Sequence, residues 1–392
     1  MSAGERGVAA SATSKGSSKT VVIAGGGTGG HIYPGLAVAK DLASRGYDVH
    51  WVGATGGLEE KIVTHAGLPL HLIRIGKLHS SVGLVDQIKT VLGLPLAFLQ
   101  ALGLALRLKP HAVLGVGGFA SGPFLFVSAL LRYRTVIWEP NAHAGLANRW
   151  LSKIVDECLL VFEAASRDLK GKRVHRVGLP VRDSIHPRSR EELTDRKFRV
   201  LVFGGSQGAR AINRVVADWV EKTGLADGTV HLVHQTGKYD YQEISARYEA
   251  WKAARRAEGL TEAQLPLECQ EYIHDMDQRY AWADLLVCRA GASTVAEVAA
   301  SGKAALFVPL PTAADNHQLK NAEVLAKAHA AILIEQKDFD VATLDQTIRR
   351  LRQNLAELGE LEKNVLKFSA PGAASAIASY VLGLPRSAKG NS

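Results

Sequence analysis

Cysteine is scarce in this chain: three in 392 residues, Cys158, Cys269 and Cys288, each within an apolar, strand-like run. An odd number at wide spacing, without a Cys-x-x-Cys pair, argues against a disulfide scaffold or a thiolate metal site. It predicts buried thiols in a reducing cytosol. Aromatic residues are also few, 6% of the chain. The net charge of +9 therefore comes without stacking motifs or a recognisable basic module, which disfavours a nucleic-acid-binding protein. Anionic lipid or an anionic nucleotide substrate suits that charge better. No apolar run reaches the roughly 18–20 residues that cross a bilayer. The longest, Val91–Leu106, contains Pro95 and Gln100. Residues 1–19 are rich in Ser, Gly and Ala and lack an apolar core, so they read as a disordered arm rather than a secretory signal. A soluble or peripheral protein is expected.

Glycine, by contrast, is plentiful, with 38 residues on a background of 47% hydrophobic and 22% charged ones. That background is ordinary for a globular protein, and the length predicts two domains. Strand-like runs at Thr20–Ala24, Val49–Gly53, Leu70–Ile75, Ala112–Val116, Thr135–Trp138 and Glu157–Val161 alternate with helical patterns such as Pro34–Arg45 and Leu58–Ala66. A second series follows at Val200–Phe203, His231–Thr236, Cys269–Tyr272, Leu285–Cys288, Ala304–Val308 and Ala331–Ile334. Continuous apolar strands separated by helices indicate parallel sheets covered on both faces. The stretch from Gly178 to Arg199, polar and containing Pro187, is the natural linker. The fold class is thus α/β, with two Rossmann-like, doubly wound domains. Each opens with a strand, a glycine-rich turn and a helix, and ligands in such sheets lie beyond the carboxyl ends of the strands.

The first turn, Gly25–Gly30, fits G-x-G-x-x-G, but the second strand ends Val52-Gly53-Ala54 without the acid that would hold a dinucleotide ribose. The next acid, Glu59, falls in a helical pattern, and neither turn ends in Lys-Ser/Thr. A dehydrogenase or a nucleotide triphosphatase is disfavoured. His31 follows the turn directly. It either bonds its own loop or, as a neutral imidazole near its ordinary pKa, takes a proton from a hydroxyl. The second turn, Gly204–Gly208, contains Ser206 and can cradle a phosphate or serve turn geometry alone. Glu297, in Arg289–Glu297, is a ribose-binding candidate or a first-turn acid favoured by the helix dipole. Asp315-Asn316-His317-Gln318 is a polar cluster or the cap of a helix Gln318–Ala328. The triplets Asp275–Asp277 and Asp338–Asp340 read as caps of the helices after them, and no metal site is expected.

Five segments in order, GGTGGHIYPGLAVA (Gly26–Ala39), GVGGFASGP (Gly115–Pro123), GGSQGAR (Gly204–Arg210), RAGASTVAE (Arg289–Glu297) and DNHQLKNA (Asp315–Ala322), resemble the MurG family, glycosyltransferase family 28. The resemblance covers about residues 20–383. It implies a GT-B fold, with an acceptor- and membrane-facing domain over 20–178 and a donor-binding domain over 179–370. A carboxyl-terminal helix, about 371–383, would pack back on the first domain. The implied reaction is inverting, metal-independent transfer of GlcNAc from UDP-GlcNAc to the C4 hydroxyl of MurNAc in undecaprenyl-diphospho-MurNAc-pentapeptide (lipid I), without a cofactor. The product is lipid II for peptidoglycan synthesis, made at the cytoplasmic face of the bacterial inner membrane. Cell-wall or division proteins are implied partners.

Carried over by position, the resemblance makes His31 the general base. Thr28, Gly29 and Gly30 would face the donor sugar and acceptor, with Asn141 on the GlcNAc. Arg182 and Ser206 would hold the nucleotide side, Ile273 the uracil, and the backbone of Ala292, Ser293, Thr294 and Val295 the nucleotide. Glu297 would hold the ribose and Gln318 the sugar hydroxyls. Phe119 stands where some relatives have tyrosine, and His317 where some have glutamine. For the lipid acceptor, Arg74–Lys109 sets Arg74, Lys77, Lys89, Arg107 and Lys109 against Asp86, interleaved with apolar residues. That pattern fits peripheral docking to anionic lipid or a core helix with a solvated face. The alternatives on the same scaffold are a glycolipid glycosyltransferase and a UDP-GlcNAc 2-epimerase, which needs no lipid acceptor.

Overall fold

The structure is a computed structural model that describes residues 18–76, 84–118, 120–171, 173–188, 197–205, 207–225 and 228–384. Most of the amino-terminal arm, Phe119, Ser206 and Lys77 lie outside the described residues, as do the side chains of residues 84–91, Lys89 among them. The chain opens with β1 (Thr20–Gly25), α1 (Gly29–Ser44), β2 (Asp48–Ala54), α2 (Glu59–His65), β3 (Leu70–Ile73) and α3 (Leu84–Leu108). There follow β4 (Ala112–Gly117), α4 (Ser121–Leu130), β5 (Arg134–Glu139), α5 (Leu146–Leu151), β6 (Glu157–Leu160) and β7 (Val174–Arg176). These strands form one seven-stranded sheet in the order β3-β2-β1-β4-β5-β6-β7.

The second sheet is built from β8 (Phe198–Phe203), β9 (Val230–Gln235), β10 (Leu267–Gln270), β11 (Leu285–Cys288), β12 (Ala304–Phe307) and β13 (Ile332–Leu333). Its order is β10-β9-β8-β11-β12-β13. The helices between and after them are α6 (Arg210–Trp219), α7 (Tyr241–Ala257), α8 (Met276–Trp282), α9 (Ala292–Ser301), α10 (His317–Lys327), α11 (Val341–Gln353), α12 (Leu355–Val365) and α13 (Ala373–Leu382). The described strand pairs are parallel in both sheets. Each sheet reverses its strand order beside its first strand, at β1/β4 and at β8/β11. The crevice of such a switch point receives the two glycine turns.

Central strands carry apolar side chains on both faces because helices cover both. Val21, Val22, Ile23 and Ala24 of β1 and Leu285, Leu286, Val287 and Cys288 of β11 are fully buried. Cys158 is buried as well, whereas Cys269 is only partly so. Burial pushes the thiols of Cys158 and Cys269 up to about 12 and that of Cys288 higher, so all three are inert at neutral pH.

Several boundaries differ from the sequence reading. α1 begins at Gly29 rather than Pro34, so the proline sits inside the helix. Its ring supplies no donor to the carbonyl of Gly30. β10 lies two residues earlier than expected, which frees Tyr272 as an exposed residue. The three-residue edge strand β7 was too short to leave a pattern.

The stretch Leu355–Leu382 is apolar enough by composition to suggest a membrane span. The backbone instead breaks between α12 and α13 around Gly372, which has φ +74°. α13 packs on α1, β4 and β5 of the first domain. There Arg45 donates to the Ser379 hydroxyl at 3.0 Å, and Arg134 donates to the carbonyls of Tyr380 and Val381 at 2.8 and 3.0 Å. The last described helix thus straps the second half to the first.

Candidate active site

Between the carboxyl ends of the two sheets lies a cleft of about 2360 Å³. Gly26–His31 and Gly118 line it from the first domain, and Gly205, Gln235, Ile273, Gly291–Glu297 and Gln318 from the second. Both glycine turns therefore open into the same space.

The first turn is held by its own backbone. Gly26 donates its N–H to the Gly117 carbonyl at 3.1 Å, and Gly27 donates to Glu59 Oε2 at 2.9 Å. Gly118 has φ +85°, and a Cβ there would come within 2.5 Å of the Gly26 carbonyl oxygen, so the two loops meet only because residue 118 is glycine. Thr28, extended at φ −138°, is the residue before α1, and its Oγ1 lies 3.1 Å from His31 Nδ1. The other edge of the imidazole packs on Gly117, where a Cβ would stand 3.0 Å from Nε2. Burial lowers the His31 pKa from 6.5 to about 4, opposed by a hydrogen bond with the Gly26 backbone and by the charge of Glu59. This corrects the expectation of a near-ordinary pKa. The ring is half-buried among backbone groups, so it is neutral at pH 7 and already bonded by its loop.

On the facing domain, Gln235 at the end of β9 is buried and ties two loops together. Its Nε2 donates to the Gly205 carbonyl at 2.9 Å, and its Oε1 accepts from Ile273 N at 3.1 Å. Arg182 reaches Glu297 with an N–O distance of 3.4 Å, and Tyr280 donates its hydroxyl to Glu297 Oε2 at 3.0 Å. Burial raises the Glu297 pKa, while Arg182 and the Tyr280 hydroxyl oppose the rise. Ala292, Ser293, Thr294 and Val295 form the first turn of α9, their N–H groups at the helix's amino end. Ser293 Oγ is buried with no hydrogen-bond partner among the described residues. It lies 3.6 Å from where a Cβ on Gly30 would stand, so α9 and the first glycine turn nearly touch across the cleft.

Gln318 faces the cleft with its carbonyl oxygen committed to Leu310 N at 3.0 Å. The helix after the polar cluster starts at His317, one residue earlier than expected. Asn316 precedes it without a capping hydrogen bond, and both Asp315 and Asn316 adopt left-handed backbone (φ +49° and +54°) instead of the extended backbone usual at a cap. Asn141 donates to Glu139 Oε1 at 3.2 Å and accepts from Asn321 Nδ2 at 3.2 Å. Of the aspartate triplets, Asp340 caps α11 by accepting from Thr343 N at 2.8 Å. Asp275 makes no capping bond and pairs with Arg279 at 3.4 Å instead.

Sequence reasoning did not single out Glu59 as a site residue, nor Glu139, Gln235, Tyr280 or Asn321. Glu139 accepts from Asn141 N, Asn141 Nδ2, Gly145 N and Asn148 Nδ2. Asn321 crosses between domains, accepting from Ala142 N at 2.8 Å and donating to the Ala290 carbonyl at 3.1 Å. A polar residue ending an apolar strand, as at Glu139 and Gln235, was the available signal. Glu59 and Asn321 read as ordinary helical polar residues until the fold buries them.

Two Rossmann-like domains whose glycine turns open into one cleft form the GT-B fold. The profile of the glycosyltransferase family 28 amino-terminal domain matches residues 21–160, and that of the family's carboxyl-terminal domain matches residues 199–377. The chain belongs to glycosyltransferase family 28. It is 43% identical over 93% of its length to the UDP-N-acetylglucosamine–N-acetylmuramyl-(pentapeptide) pyrophosphoryl-undecaprenol N-acetylglucosamine transferase of Bdellovibrio bacteriovorus, 99% of which is covered. The enzyme of the same name from Myxococcus xanthus is 36% identical, over 93% of this chain and 92% of that protein. The crystal structure of Acinetobacter baumannii MurG superposes with a TM-score of 0.76 at 29% identity, covering 93% of this chain and all of that one. A UDP-GlcNAc 2-epimerase from Neisseria meningitidis shares the fold alone, with a TM-score of 0.62 at 10% identity over 93% of this chain and all of that one.

Proposed function

We propose that this protein transfers N-acetylglucosamine from UDP-GlcNAc to the C4 hydroxyl of the muramyl sugar in a polyprenyl-diphospho-MurNAc-pentapeptide. The observation that carries the reading is the meeting of Gly30 and Ser293 across the cleft. It brings a loop bearing a neutral imidazole against a helix amino end suited to a diphosphate.

In the reaction the acceptor oxygen forms a bond to C1 of GlcNAc while the C1–O bond to the diphosphate breaks. The electron pair leaves with UDP, and the hydroxyl proton passes to His31. General-base help of this kind contributes about 10²–10⁴-fold. Charge grows on the departing diphosphate, where the amino end of α9, the Gly204–Gly208 turn and Ser206 stabilise it electrostatically. Glu297 takes the ribose hydroxyls, giving up the Arg182 contact to do so, and Ile273 packs on the uracil. Asn141 and Gln318 orient the sugar. Their amides are partly committed to protein groups, which preorganises them at little entropic cost.

The lipid half of the acceptor argues for the first domain as a peripheral membrane face. Leu92, Leu96, Leu99 and Leu106 of α3, Phe126 and Leu130 of α4, and Trp150 of α5 are all exposed. α4 packs against both α3 and α5, so these side chains belong to one group of adjoining helices. The cleft lining includes Phe98, Phe126, Leu146 and Trp150, which links the reacting end to that apolar group. Arg107 and Lys153 lie among these helices, the latter over the Trp150 ring at 4.1 Å. This arrangement favours a lipid-linked acceptor over epimerisation of a free nucleotide sugar. It also supports a peripheral location at a membrane surface. Purified protein given UDP-GlcNAc and a short-chain lipid I analogue is expected to release UDP and form the disaccharide product. UDP-GlcNAc consumption without transfer to the lipid would refute the reading.

A further inference from the structure

Glu59 is a buried carboxylate that the reaction above does not use. It opens α2, and only 1% of its surface is accessible. Its two oxygens are divided between two strand ends: Oε2 accepts from Gly27 N and Oε1 from Ala54 N, each at 2.9 Å. A Cβ at Gly26, Gly53 or Gly57 would stand 2.2–2.6 Å from a Glu59 side-chain atom. Three glycines thus make room for one carboxylate beneath the first turn. A buried acid usually has a cation beside it or gives up its charge. Here two backbone N–H groups, of Gly27 and Ala54, are its hydrogen-bond partners.

From this arrangement we propose that Glu59 is a positioning residue for the catalytic turn: it fixes the Gly25–Thr28 backbone against α2 and so holds Thr28 and the His31 ring where the imidazole takes the acceptor's proton. The proposal rests on the reading of His31 as the base. The geometry runs from carboxylate to Gly27 N, through the next residue Thr28, to the 3.1 Å contact between Thr28 Oγ1 and His31 Nδ1. No hydrogen bond joins Glu59 to the ring, so the acid acts through the loop. Withdrawing the hydrogen bond frees Gly27, which has φ +84° and no neighbour within 4 Å of a Cβ position, to move.

The test is a double-mutant cycle on the full chain with Glu59→Gln and His31→Ala, read by initial rates with UDP-GlcNAc and a lipid I analogue and by calorimetric UDP binding. Glu59→Gln should lower kcat at least tenfold, with KM for UDP-GlcNAc and UDP affinity within twofold of the parent. In the His31→Ala background the same change should cost less than threefold, because the group it serves is gone. Where His31→Ala itself lowers kcat, equal losses in both backgrounds, or a loss expressed in UDP affinity, would overturn the proposal. If Glu59→Gln fails to fold, Glu59→Asp keeps the charge but withdraws it from the turn. It should show the same dependence on His31, and independence would again overturn the proposal. Near-normal turnover of His31→Ala alone would remove His31 as the base. In that case a Glu59→Gln loss of kcat at unchanged UDP affinity would still support the loop-fixing role, and no loss would refute it.

Discussion

Replacing Asn321 by alanine removes a side chain that is fully buried and bonded to both domains. Ala142 N, itself buried, loses the acceptor at 2.8 Å, while the Ala290 carbonyl and Asn141 Oδ1 lose donors at 3.1 and 3.2 Å. An unpaired buried donor costs about 1–3 kcal/mol and an under-satisfied carbonyl less, so the loss should be about 2–4 kcal/mol in all. At about 2–4 °C per kcal/mol for domains of this size, the melting temperature should fall by about 5–15 °C. Asn141 also loses the restraint that aims it from the opposite domain. kcat/KM should therefore drop tenfold or more, a change of about 1.4 kcal/mol in transition-state stabilisation. Differential scanning calorimetry and coupled UDP-release kinetics measure both. Asn321→Asp keeps the acceptor for Ala142 N but sets oxygen against oxygen at Ala290 and Asn141, so it should rescue neither quantity. An unchanged melting temperature with unchanged kcat/KM in Asn321→Ala would refute the idea that this amide joins the domains.

Glu297→Gln should weaken UDP binding tenfold or more by calorimetry with a smaller effect on kcat, and an unchanged affinity would remove Glu297 from the ribose site. His31 and His234, whose pKa values burial lowers from 6.5 to about 4 and about 3, take up protons in the unfolded chain before they do so in the folded one. Their contribution to stability is complete above about pH 6.5 and is lost as the pH falls toward those folded values. Urea denaturation should show stability decreasing from pH 7 to 5, with a shallower slope in His234→Gln; stability that rose on acidification would contradict this. Trp150→Glu should reduce co-sedimentation with anionic vesicles about tenfold or more, since burying a large apolar side chain contributes about 1.5–3 kcal/mol. It should leave UDP affinity intact, and unchanged vesicle binding would exclude α5 from the membrane face.

The sheets and their glycine turns were legible because strands buried on both faces leave short unbroken apolar runs, as at Val21–Ala24 and Leu285–Cys288, that end in glycine-containing turns. The start of α1 was not legible: Pro34 mimics a first-turn proline, and only tertiary packing shows the helix beginning at Gly29. Residues that lie in the motifs reach the cleft, Thr28, His31, Ser293 and Glu297 among them, and so does Ile273 outside the motifs. The residues that organise them did not show, because Glu59 and Asn321 act through contacts 32 and 179 positions away in sequence. The altered basicity of His31 is a further case. Nothing in a local pattern reports that Gly117 and Gly26, from different loops, enclose the ring.

The cleft account requires attack on the face of the sugar opposite the diphosphate, with His31 on the acceptor side, so each transfer must invert the anomeric centre. The direct measurement is the configuration of the new glycosidic bond, read from the anomeric proton coupling in product made from α-linked UDP-GlcNAc and a lipid I analogue. A β linkage is the predicted result. An α linkage would contradict the single displacement across the facing turns.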